Sequence, residues 1–198
     1  MSTPDFGRPR VTVLWHSDLR RDTSGHYLIK EVWGWYLEKA LAPSAHKVTI
    51  VASLARSGDA RFQEYMLTHP VFSVMPLTRD RTKTGLRRTF GNLRDVTAAV
   101  RDADVVWVFM PAWKGVYGAA VARLLRRPVV SYFGCEWVGM GDAGRMSNAF
   151  RGVGQRAVVA LSERILVADE HQLSRYESQR PGRVLRRAPA MLVSPSEI

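Results

Sequence analysis

The residues best placed to do chemistry stand just beyond apolar runs. Glu136 lies in Gly134-Cys135-Glu136-Trp137, at the end of the apolar run that begins at Pro128 and ends at Gly134, and its carboxylate suits binding a hydroxyl or acting as a base. Gly134 beside it allows close backbone approach. Trp113-Lys114 follows the run that ends at Pro111, a pairing suited to stacking on a sugar and touching a phosphate. Ser24-Gly25-His26 reads as the start of a helix, where backbone N–H groups suit an anion or a sugar hydroxyl and His26 suits a base or hydrogen-bond donor. Each has a plainer reading: a solvated helix cap, a packing Trp beside a surface Lys, a loop carboxylate paired with Arg. The five His are scattered, so no metal-type spacing occurs, and Cys135 has no partner His near it in sequence.

The elements that position these residues alternate. Val11–Trp15, Lys47–Ala52, Val71–Leu77, the runs ending at Pro111 and Gly134, and Arg164–Ala168 read as strands, with one more in 184–193. Helices are expected over 26–41, 86–101, the Gly/Ala-rich stretch after Pro111, 146–161 and near 172–176, with a short one around 60–67. Asp104–Trp137 is then one βαβ unit whose strands are buried on both faces. The class is α/β: a single Rossmann-like domain with a mostly parallel sheet of about six to seven strands and helices on both faces. Residues 1–10 read as a disordered leader, 11–193 as the domain, and 194–198 as a tail or the start of an interdomain linker. In such a sheet, ligands bind at the carboxyl ends of the strands, where all the groups above fall.

The 198-residue chain carries 29 Lys+Arg against 18 Asp+Glu, a net charge of +11. Arg20 and Arg21 follow the first strand, and Arg79, Arg81, Lys83, Arg87 and Arg88 follow the third. Together they form a basic rim on the ligand side that suits an anionic acceptor or an anionic membrane surface. No nucleic-acid-binding module is visible. No Gly-x-Gly-x-x-Gly or P-loop follows a strand, and the Gly139–Gly144 stretch leaves a polar loop instead. One cysteine, no secretory signal and no long apolar run point to a cytoplasmic protein, peripheral at the inner membrane face if lipid-bound.

Four segments together resemble the N-terminal domain of GT-B-fold glycosyltransferases of the family-four type: VTVLWHSDLRRDTSGHYLIKEV, ADVVWVFMP, RRPVVSYFGCEW and ERILVADEHQLSRY. The resemblance covers about residues 10–190, and order and spacing carry it. It implies an acceptor-binding half, with Ser24, Gly25, Trp113, Lys114 and Gly134 to Trp137 facing the acceptor. The nucleotide-sugar donor is then expected on a second domain, in the same or a separate chain, with no cofactor held by this one. Phe133 and Asp169 stand where relatives tend to have His and Ser. Two other readings stay open: a non-catalytic binding or membrane-surface module, and an unrelated flavodoxin-like or Rossmann-like enzyme.

Overall fold

The computed structural model describes residues 7–55, 64–77, 85–134, 145–168 and 170–186. Seven strands form a parallel sheet: β1 (Arg10–Arg21), β3 (Lys47–Leu54), β5 (Phe72–Leu77), β6 (Val105–Met110), β7 (Val129–Phe133), β8 (Arg164–Val167) and β9 (Val184–Arg186). Their order is β5-β3-β1-β6-β7-β8-β9. Two short antiparallel strands, β2 (Tyr27–Lys30) and β4 (Glu64–Met66), extend β1 in the order β4-β2-β1. The described sheet therefore has nine strands, more than the six to seven expected. The surplus is this antiparallel flap.

Residue alternation along β1 builds both faces of the core. Val13 and Trp15 point to one face, with Ile50, Phe109, Tyr132 and Leu37. Leu14 points to the other, with Val106, Val108, Ala119, Val158 and Tyr176. The first face is covered by α1 (Glu31–Tyr36) and a π-helical turn, Leu37–Leu41. The second is covered by α2 (Gly85–Arg101), α3 (Trp113–Leu124), α4 (Arg145–Leu161) and α5 (Glu170–Gln179). Thr12, polar in an apolar strand, donates its Oγ1 to the Ala99 carbonyl at 2.9 Å. The expected βαβ unit is present, with α3 lying so close to β1 that a side chain at Gly118 would overlap Leu14.

Residues 26–41 are not one helix. β1 runs on past Trp15 to Arg21, with a register shift between Leu14 and Asp18. The chain then doubles back: Gly25, at φ 90°, lets Asp22 N–H reach the His26 carbonyl at 3.0 Å, and Arg21 pairs with Tyr27. Ser24-Gly25 thus belongs to a hairpin turn and caps no helix. Helix begins only at Glu31, six residues of α-helix passing into the π-helical turn. Helical-looking periodicity was carried by Tyr27, Leu28 and Ile29, which instead form a strand. Likewise Glu64–Met66, placed in a short helix by the sequence, is strand β4.

Candidate functional site

All seven parallel strands end at one edge of the sheet. There, the run-on half of β1 and the flap β2–β4 wall a pocket of about 510 Å³. Trp15 and Trp33 supply its aromatic floor, while His16, Asp18, Arg20 and Glu64 supply polar lining. Trp33 meets Trp15 edge-on at 5.4 Å between centroids and Tyr132 at 5.5 Å. This aromatic packing fixes Trp33, so the pocket floor is preformed.

His16 lies two residues beyond Leu14, the last residue of β1 in regular register with β3 and β6. Its ring stacks on Phe109, with centroids 6.2 Å apart and planes 17° from parallel. Burial, reinforced by the nearby Lys114 ammonium, pushes its pKa down to about 4, so the imidazole is neutral at pH 7. Its buried Nδ1 has no hydrogen-bond partner among the described residues. A neutral imidazole with an unspent ring nitrogen can accept or donate one hydrogen bond to a bound ligand.

Lys114 stands in the first turn of α3 and is only 8% exposed. Close packing of α3 puts it there: a Cβ on Gly115 would meet Val108 Cγ1 at 2.7 Å. The N-cap, Ala112, offers no side-chain bond to the first N–H groups of α3. Trp113 beside it is half exposed, and Gly134, at the end of β7, is exposed.

The structure groups the expected site residues unevenly. Lys114 comes next to His16, and Trp113 and Gly134 lie at the ends of the neighbouring strands β6 and β7. Ser24, Gly25 and His26 sit on the hairpin tip, where Asp22 holds the His26 N–H at 2.7 Å and the His26 ring at 3.4 Å. Arg20 is committed to Glu64, through Nε at 2.7 Å. Arg21 donates to the Gly25 carbonyl at 3.1 Å and lies over the Tyr27 ring. Cys135, Glu136, Trp137, Arg79, Arg81, Lys83 and the Gly139–Gly144 stretch lie outside the described residues, as do the side chains of Arg87 and Arg88 in α2. His16, Asp18, Trp33 and Glu64 were not singled out by the sequence. The signal for His16 was its place, one step past a fully buried strand. No cluster of three or more His, Cys, Asp or Glu fit to hold a metal occurs among the described residues. No described helix is long and apolar enough to cross a membrane.

Solved structures with the same architecture include UDP-N-acetylglucosamine 2-epimerases. One matches at a TM-score of 0.57 and 13% identity, over 91% of this chain and 48% of its own. A protein of Listeria monocytogenes assigned as such an epimerase matches at 0.56 and 8% identity, over 90% of this chain and 45% of its own. That of Rickettsia bellii matches at 0.51 and 9% identity, over 91% and 44%. This is a GT-B-like domain. No protein-family model and no curated protein matches the chain in sequence. The GT-B-like domain spans less than half the length of each structure it matches. At these identities the likeness establishes the fold alone.

Proposed function

We propose that this GT-B-like domain is the acceptor-binding half of a glycosyltransferase of the family-four type, as its N-terminal domain. The observation that carries the reading is the pocket at the strand ends. Its floor is aromatic, its basic lining is Arg20 and Lys30, and its one titratable ring, His16, is neutral with the buried Lys114 close behind it. Trp33 offers a face for a pyranose. Lys114, at the start of α3, offers positive charge for a phosphate, so the acceptor is a sugar bearing a phosphate or linked through one to a lipid. His16, and Glu136 from the loop after β7, are the candidates to accept the acceptor's hydroxyl proton. The nucleotide-sugar donor sits on a partner domain, in the same or a separate chain, and transfer takes place in the cleft between the two.

Indole N–H resonances of Trp15, Trp33 and Trp113, followed by NMR during titration with N-acetylglucosamine 1-phosphate and, separately, with UDP, test the reading. The sugar phosphate should move Trp33 saturably and UDP should not. Movement by UDP alone would make this a donor half.

A second reading, a membrane-surface module, draws on α4. Met146, Phe150 and Val153 recur at helical spacing and are 75%, 59% and 60% exposed, in a helix without a single acidic residue. Co-sedimentation with phosphatidylglycerol but not phosphatidylcholine vesicles, lost in Phe150→Ser, is its expected outcome; equal behaviour on both lipids removes it.

A further inference from the structure

At the opposite edge of the sheet, where the strands begin, four arginines gather around one depression. Arg123 closes α3, Arg164 opens β8, and Arg180 and Arg183 flank the turn between α5 and β9; with Ala160, Leu161 and Glu163 they line a pocket of about 600 Å³. Four guanidinium groups and one carboxylate leave it three positive charges. No salt bridge joins Glu163 to any of them among the described residues.

Part of this charge has a local cause. The carboxyl ends of α3, α4 and α5 converge here, and helix carboxyl ends favour cations. Arg180 fits that account: it donates to the Ala160 carbonyl at 2.8 Å and the Ser162 carbonyl at 3.2 Å, closing the end of α4. Arg164 donates Nη1 to the Glu163 carbonyl at 3.3 Å. Arg123 and Arg183 are exposed, and neither side chain has a partner among the described residues. Arg183 precedes a strand and belongs to no helix end, so the dipole does not explain it. Like charges held around one concavity raise its potential and are relieved by a bound anion.

We propose that the Arg123–Arg164–Arg180–Arg183 basin is a binding site for a soluble oligophosphate, at the pole of the domain away from the strand-end pocket. Planar guanidinium forks match phosphate oxygens two at a time, and several forks around one hollow suit an anion with two or three linked phosphates. The concave shape favours a compact ligand over a flat bilayer. Arg180 forms the fixed floor, and Arg123 and Arg183 supply the free donors. Glu163 at the rim disfavours a ligand that fills the whole hollow with charge. The basin shares no residue with the strand-end pocket.

The test is calorimetric titration of the intact protein with sodium tripolyphosphate at low ionic strength. Arg123→Gln/Arg183→Gln should weaken binding by tenfold or more, since each lost charge-assisted contact is worth about tenfold. The control is Lys39→Gln/Arg94→Gln, two exposed cations elsewhere with the same loss of charge; it should change binding less than about twofold. Matched melting temperatures for the variants establish that both fold. Equal weakening in basin and control variants, or no saturable binding by the unmodified protein, would overturn the site. Binding to phosphatidylglycerol vesicles that needs Arg123 and Arg183, with none to tripolyphosphate, would overturn it in favour of a lipid surface.

Discussion

Arg20 on β1 reaches across β2 and donates its Nε to both carboxylate oxygens of Glu64 on β4, at 2.7 and 2.9 Å. Both residues line the strand-end pocket, and both are mostly shielded, at 30% and 22% side-chain exposure. The pair therefore ties down the outer strand of the flap, and a short three-residue strand such as β4 needs that tie.

Glu64→Gln keeps the shape and removes the charge. It should cost about 1–3 kcal/mol, the range for a hydrogen bond to a charged group that leaves its partner behind. A lower urea midpoint with an unchanged slope reads that cost. Hydrogen exchange should quicken at Leu28–Lys30 and Glu64–Met66 before it quickens in the parallel sheet. Uniform exchange across both regions would show the flap is not held by this pair.

His16 makes stability depend on pH in a defined window. Its folded pKa is about 4, below the 6.5 of an exposed imidazole, so the unfolded chain binds the extra proton between those values. Stability is then fully present above pH 6.5 and is lost as pH falls toward 4, by up to about 3 kcal/mol. His16→Gln should flatten the stability curve across that window while leaving the region above pH 7 little changed. An imidazole NMR titration with a midpoint near 6.5 would place the ring in water instead.

Much of the sheet could be read from the chain because parallel strands buried on both faces are continuous apolar runs. Val105–Met110 and Val129–Phe133 stand out for that reason, and so does the Gly/Ala-rich α3 that must lie on them. The flap was hidden for an opposite reason. Tyr27, Leu28 and Ile29 lead straight into Val32 and Trp33, so apolar residues fall at both helical and strand spacing, and only the φ of Gly25 and the pairing to Arg20 and Arg21 decide. Glu64 as partner of Arg20 is a contact across 44 positions, which local pattern does not carry. His16 looked like loop because a polar residue after an apolar run usually is; its surroundings depend on Phe109 and Lys114, both brought in by one distant segment, the β6–α3 junction.

Two glycines separate close approach from backbone freedom. Gly118→Ala would drive a methyl into fully buried Leu14 and should cost about 1–3 kcal/mol through overpacking. Gly91, inside α2, has nothing within 4 Å of a built Cβ. Gly91→Ala should gain about 0.5–1 kcal/mol, because alanine is the better helix former and the unfolded chain loses freedom. Thermal melts of the two variants should move in opposite directions. A neutral Gly118→Ala would mean that α3 slides on β1.

The lower edge of the sheet carries a second acid-sensitive group. Arg10 donates Nη2 to Asp104 Oδ1 at 2.9 Å, and its backbone N–H donates to Oδ2 at 2.9 Å. These bonds, side chain first, hold the Asp104 pKa down to about 2 from 3.8. A depressed carboxylate contributes stability above its unfolded pKa, and that contribution is lost as pH falls from about 4 through 2. Both side chains are 41% exposed, so water screens the pair and its share is no more than about 1 kcal/mol. Asp104→Asn should thus remove a small acid-limb loss below pH 4 and leave the steeper loss between pH 6.5 and 4, which belongs to His16, in place. The two substitutions lie at opposite edges of the sheet and should act additively in chemical denaturation across pH. A single merged transition that Asp104→Asn abolishes entirely would assign both windows to the carboxylate.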